Sequence, residues 1–249
     1  MAFDAGGRAF VQTSILMAAH GERGGDGDNE ALAGLAEAVA MRLPGHAVAH
    51  GVLYGAPSIE HAAASLGGGT TLVYPLFFSG GRFVSEMIPE RLAALPDGSR
   101  FAHLPPLGLD PRLAVWLAER IEATATARGF DPAATFVLIA AHGSTRATQP
   151  RDAAMLLAER LARHRRGAPV GFGFLDEPPY LRDAIARLPD EAVVVSLFSG
   201  RGLHAAEDLP GLAAAAGRED IPVIGPIGTD PDIAPLIAEA IRERIGAIG

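Results

Sequence analysis

His142, Asp176 and His204 are the side chains whose types and placement best suit chemistry, because each follows an apolar run: TFVLIAAHG, FLD and LFSGRGLH. In an open parallel α/β sheet, ligands bind beyond the carboxyl ends of the strands, so a polar residue closing an apolar strand is a stronger candidate than one elsewhere. Two imidazoles and a carboxylate aimed at one rim hold a divalent first-row metal without the grip of thiolates. The same groups accept protons. Glu207, three residues after His204, lies on the same face if a helix has begun there and joins the candidate metal set. Placement to offset a helix dipole explains it equally well. Taken singly, each residue has a plainer explanation, since a histidine in a turn often bonds to backbone and an aspartate often forms the turn. Convergence of all three on one rim favours the functional reading for the histidines and leaves Asp176 open between the two.

A second, poorer set lies earlier in the chain. His20 follows SILMAA as His142 follows TFVLIAA, but Tyr54 stands where the later set has Asp176, and Phe83 where it has His204. One such ligand does not make a metal site. Glu22 and Glu86 are near in sequence, and an architectural role for this region fits best. Arg23, Arg82, Arg146 and Arg201 are candidates for pairing with substrate carboxylates, although surface arginines are more often simply solvated. Two glycine-rich turns, SGGR and SGRG, let backbone approach an anionic ligand closely. Neither is a nucleotide fingerprint, and no G-x-x-x-x-G-K-[ST] is present.

The elements that position these residues come as a repeat. AAHG recurs at His20 and His142; VLYGAPSIEHAAASL answers FLDEPPYLRDAIARL; YPLFFSGGRFVSEMIP answers VSLFSGRGLHAAEDLP; and PPLGLDPRLA answers GPIGTDPDIA. Four matched blocks in one order indicate duplication. Short apolar runs alternating with segments of helical period predict βαβ units and a parallel α/β sheet of about four strands, flanked by helices, in each half. Strands are expected near 14–19, 47–54, 70–77 and 100–104, and again near 135–141, 169–175, 191–197 and 221–224. Asp28 is the expected N-cap of a helix carrying Leu32, Leu35, Val39 and Leu43 on one side. Asp110-Pro111 and Asp230-Pro231 each set a capping acid before a first-turn proline. The division this gives is a tail over 1–13, one α/β domain over 14–127 and a second over 134–249.

Composition narrows the function. The 249 residues carry a formal net charge of −8, which disfavours binding along a nucleic-acid backbone. Every one of the 21 basic residues is arginine, so lysine Schiff-base chemistry is excluded. With no cysteine, disulfides, thiolate nucleophiles and Cys-bound metal centres are excluded too. No apolar run approaches the roughly 20 residues of a membrane span, and residues 1–13 do not read as a secretion signal. The expected location is cytoplasmic.

The quoted motifs, from Ser14 onward, resemble the CbiX-like sirohydrochlorin chelatases, relatives of anaerobic cobalt chelatase and ferrochelatase. The resemblance implies two chelatase-like domains facing across a cleft where a metal-free tetrapyrrole receives Co(II), or Fe(II) or Ni(II) in some members. The family's histidines in the H-G turn and the H-x-x-E-x-x-P segment correspond to His142 and His204, and Asp176 sits where many relatives carry an acid. His20 matches the first motif in the other half. Many relatives carry a histidine at the position of Phe83, so the active half implied here is the C-terminal one. His142, His204 and Asp176 are then the expected catalytic set and, with Glu207, the expected metal ligands; His20, Arg23, Arg82, Arg146 and Arg201 are the expected substrate contacts. The expected partners are a sirohydrochlorin-like tetrapyrrole and a divalent metal, the metal being a substrate rather than a resident cofactor, in cobalamin or siroheme synthesis. Neither nucleic acid nor membrane is expected, and the oligomeric state stays open, a monomer being compatible. A non-catalytic CbiX-like protein that binds tetrapyrrole or metal is the alternative, and an α/β enzyme using His142 as a base on a small anion is a second.

Overall fold

Ser14–Ala19 is buried at every position, as a strand inside a parallel sheet must be when helices cover both faces. The computed structural model describes residues 13–21, 29–198 and 209–247. Its first half runs β1 (Ser14–Ala19), α1 (Glu30–Ala40), β2 (Val48–Val52), α2 (Ile59–Ser65), β3 (Thr71–Pro75), α3 (Ile88–Ala93), β4 (Phe101–His103) and α4 (Arg112–Ala127). The second repeats it: β5 (Phe136–Ala141), α5 (Gln149–His164), β6 (Val170–Phe174), α6 (Leu181–Ala186), β7 (Ala192–Ser196), α7 (Leu209–Ala215), β8 (Val223–Ile224) and α8 (Ala234–Gly246). Both sheets are wholly parallel, in the orders β2-β1-β3-β4 and β6-β5-β7-β8. The register repeats as well, Ile15 pairing with Leu72 as Val137 pairs with Val193. The fold is therefore α/β with two tandem halves, each a parallel sheet of four strands flanked by helices; β1 has the expected bounds, and the other expected strands are all present, shorter by one or two residues at one or both ends.

Strand alternation divides the apolar side chains among three cores. Ile15 and Met17 of β1, with Val137 and Ile139 of β5, face a central core that spans both halves. Leu16 and Ala18 face an outer core built with Ile59 of α2 and with Ile88 and Leu92 of α3. Leu138 and Ala140 do the same with α6 and with Leu209 of α7. The central core is filled by α1, α4, α5 and α8. Leu113, Leu117, Ile121 and Ala125 recur every fourth residue of α4 and are all fully buried. Truncating one of them, as in Leu117→Ala, costs about 2–5 kcal/mol by the usual measure of a core cavity.

The last helix of each half packs on the other half. α4 lies against α5 and β7, and α8 lies against α1. Trp116 Nε1 of α4 donates to the Asp232 carbonyl at 3.2 Å, while Arg120 stacks on Trp116 and pairs with Asp230 and Asp232. Arg112 pairs with Glu243 of α8. Both halves thus share one central core in spite of their separate sheets.

The expected capping acids act as predicted: Asp110 Oδ1 accepts from the Arg112 N–H and Asp230 Oδ1 from the Asp232 N–H, both at 2.9 Å. Asp28 lies outside the described residues. Asn29 holds the N-cap position of α1 without a side-chain cap bond, and its Nδ2 donates to the Ala56 carbonyl at 2.6 Å.

Candidate functional site

β1 and β3 start connections that leave the sheet in opposite directions, and β5 and β7 do likewise, so the strand ends beside these pairs form the crevice where open α/β sheets bind ligands. His142 follows β5 directly. Its carbonyl accepts the Asp176 N–H at 3.0 Å, which fixes residue 176, just past β6, alongside residue 142. The side chains then meet: His142 Nδ1 lies 3.1 Å from Asp176 Oδ2, with each side chain about half exposed (52% and 51%). An ionised carboxylate only accepts, so Nδ1 donates its N–H to Asp176. A carboxylate behind an imidazole in this way orients the ring and raises its basicity toward a metal or a proton.

The turn after His142 is built around Gly143, whose φ is +73°. A Cβ there would stand 2.8 Å from the Phe174 Cβ and 2.9 Å from the Glu177 Cγ, so only glycine fits. Glu177 lies beneath this turn, only 6% exposed. Its Oε1 accepts the Ser144 N–H at 3.0 Å, and its Oε2 is ion-paired with Arg151 of α5. The buried acid holds the backbone that carries the imidazole.

The first half repeats the backbone and changes the side chains. The His20 carbonyl accepts the Tyr54 N–H at 3.0 Å, and Gly21 turns the chain at a φ of +94°. In place of an acid, His20 meets rings: Tyr54 at 5.0 Å and Phe83, edge-on, at 4.9 Å between centroids, with Phe77 stacked on Phe83 at 5.9 Å. His20 Nδ1 lies 3.1 Å from the Gly21 carbonyl. Phe83 opens a π-helical turn, Phe83–Met87, leading into α3. Arg91 of α3 pairs with Glu60 at 2.5 Å and donates to the Leu53 carbonyl at 2.7 Å, tying down the strand end beside Tyr54. The Arg91 hydrogen bond holds the Glu60 carboxyl below the usual range, against the opposing effect of burial.

The sequence of residues 14–124, and again of 136–244, matches the CbiX family model. The chain belongs to the CbiX family. A solved structure described as CbiX, the terminal enzyme for biosynthesis of siroheme in denitrifying bacteria, is similar at 32% identity and a TM-score of 0.75, over 92% of this chain and 98% of that one. SirB from Bacillus subtilis with Fe3+ shares the fold at 18% identity and a TM-score of 0.71, over 93% and 95% of the two chains. The sirohydrochlorin chelatase SirB from Bacillus subtilis subspecies spizizenii, in complex with cobalt, shares it at 18% identity and 0.65, over 93% and 94%. Comparison with curated proteins gave no match.

Within this CbiX-family chain, the structure brings together His142 and Asp176. His204, Glu207, Arg201, Arg23 and Glu22 lie outside the described residues. Among the described residues, no group of three or more histidine and acidic side chains gathers closely enough to hold a metal. Arg146 is exposed two residues past Ser144, whose Oγ accepts the Arg146 N–H at 3.2 Å. Arg82 is exposed and paired with Glu86 one helical turn on. Glu177 and Arg151 escaped the sequence reading, although the repeat carries a signal for them. Gly55 and Asn29 occupy the corresponding places in the first half, so the acid and the base are present together in one copy and missing together in the other. Arg151 also reaches the Pro178 carbonyl at 3.3 Å, the counterpart of the Ala56 carbonyl bound by Asn29. No helix among the described residues is long and apolar enough to cross a membrane.

Proposed function

We propose that this chain is a sirohydrochlorin-type chelatase that inserts a divalent first-row metal into a metal-free tetrapyrrole, with Co(II) the first metal to test and Fe(II) and Ni(II) the others. The observation that carries this reading is the His142–Asp176 pair at the strand ends of the second half. Family membership supports it, as does similarity across nearly the whole of a protein described as the terminal enzyme of siroheme biosynthesis.

Metal insertion exchanges two pyrrole N–H protons for one dication, so the protein must supply a proton acceptor beside a weak metal ligand. The Nε2 lone pair of His142 serves either purpose. When it takes a proton, the imidazolium that results is stabilised by the Asp176 carboxylate already bonded to Nδ1. Few ligands and substantial exposure suit this task, because a site binding metal as tightly as the macrocycle would not release it. His204 supplies the second imidazole in this reading, and Glu207, three residues on in sequence, a further metal ligand. Arg146 and Arg201 in the second half, with Arg23, Arg82 and His20 in the first, contact the macrocycle and its carboxylates. The metal is a substrate, and no resident cofactor is required.

The test is visible absorbance of sirohydrochlorin with Co(II), Fe(II) or Ni(II), comparing the parent protein with His142→Ala and His204→Ala. A large loss of insertion rate in both variants is expected. Unchanged rates in both would reject the assignment, and tight binding of the macrocycle with no acceleration over spontaneous insertion would favour a non-catalytic binding protein.

A further inference from the structure

We propose that the His20, Tyr54, Phe83 and Phe77 rings at the strand ends of the first half form a stacking platform for the conjugated face of the metal-free tetrapyrrole. The first half then binds the ring while the second handles metal and protons. This inference rests on the chelatase reading and adds to it a role for the half whose strand-end histidine, among the described residues, meets rings and no acid.

His20, Tyr54 and Phe83 occupy the positions that carry His142, Asp176 and His204 in the other copy, and Phe77 answers Phe198. Tyr54 is held beside His20 by the same backbone bond that holds Asp176 beside His142. At that place, a polar pair is replaced by rings in mutual tilted and edge-on contact, at 4.9–6.4 Å between centroids. These are the spacings at which aromatic groups attract beyond their simple burial.

The cluster is not wholly interior packing. Phe77 and Phe83 rest on the outer core of Ile59, Ile88 and Leu92 and stay only half-buried, while His20 is half-buried and Tyr54 remains 49% exposed. Large apolar faces left open at a strand-end crevice need an apolar, flat occupant. A conjugated macrocycle offers one, with a π-face broad enough to lie over more than one ring. The platform is also stiffened from behind, since Arg91 grips both Glu60 and the Leu53 carbonyl next to Tyr54. Neither member of that grip recurs in the second half, where Arg182 and Leu212 take the corresponding places.

The experiment is an equilibrium titration of the full-length chain with metal-free sirohydrochlorin, read by the shift of its visible bands, followed by steady-state insertion kinetics. Tyr54→Leu and Phe83→Leu keep apolar bulk and remove the π-face; Tyr54→Phe keeps the ring and removes the hydroxyl; thermal melts check folding. Each leucine variant is expected to raise Kd and KM for the macrocycle by about fivefold, in line with the loss of one aromatic contact. KM for Co(II) stays unchanged, and Tyr54→Phe retains the parent Kd. Folded leucine variants that bind the macrocycle with the parent Kd would overturn the platform and leave the chelatase reading standing. A parent protein that neither binds nor metallates sirohydrochlorin would remove both.

Discussion

The strand-end sites of the two halves share a backbone and differ in chemistry. In each, a histidine follows the first strand, a glycine with positive φ turns the chain, and the histidine carbonyl accepts an N–H from the residue two past the second strand. In the second half that residue is Asp176, and the histidine gains an acceptor that sets its tautomer. In the first half it is Tyr54, and the histidine gains ring contacts instead. Each strand end is then fastened from below by its own ion pair, Glu177–Arg151 in the second half and Glu60–Arg91 in the first. Duplicating the backbone therefore preserved where side chains are presented and left their chemistry free to diverge.

The sharpest way to break this comparison is to remove the histidine from each half in turn. His142→Ala is expected to lower the insertion rate by about 100-fold or more, the usual loss of a positioned acid-base group. His20→Ala is expected to cost less than about tenfold, as one contact among several rings. Equal losses in absorbance assays of the two variants would erase the distinction. Asp176→Asn comes next. It keeps the shape and removes the charge behind the imidazole, and should lower the rate or the Co(II) affinity about tenfold or more, as second partners of metal-binding histidines do. Tyr54→Asn serves as the matched control, with macrocycle binding weakened and Co(II) affinity unchanged in the same titrations.

Smaller effects sharpen the comparison at the fastenings. Glu177→Ala should cost about 2 kcal/mol in urea unfolding, because it strips a buried acceptor from the Ser144 N–H and from Arg151. Glu60→Ala should cost about 1 kcal/mol, since its pair with Arg91 stands partly in solvent.

The smallest expected effect concerns pH and belongs to the first half alone. His50 on β2 borders a cavity of about 610 Å³ with Asn29, Ser58 and His61. Burial lowers its pKa below 6.5, more than the nearby Glu37 raises it. As pH falls through 6.5, the unfolded chain takes up a proton that the folded chain resists, so stability falls with pH from that point down to the folded pKa. His50→Gln should flatten the pH dependence of the urea midpoint over that window. An unchanged slope would show that His50 adds nothing to the acid sensitivity of this half.

Much of this architecture was legible beforehand because it rests on periodicity. Short apolar runs such as SILMAA and TFVLIAA, alternating with segments of helical period, read as strands buried on both faces, and their recurrence in order gave both the strand positions and the duplicated sheet. His142 and Asp176 were legible as strand-end residues for the same reason. The fastenings were much harder to read, because Glu177 looks like one more acid in a polar loop, and only its absence together with Arg151 from the first copy hints that α5 brings the two together.

The amino-acid sequence by itself determined the repeat, the parallel α/β class and the rim on which the candidate chemistry stands, since all three follow from local spacing. Only the tertiary structure decided that α4 and α8 pack on each other's halves, that His142 directs Nδ1 at Asp176, and that His20 lies among rings. Those outcomes depend on which surfaces meet when the helices close the central core, and on side-chain direction at a turn. Spacing along a chain records neither.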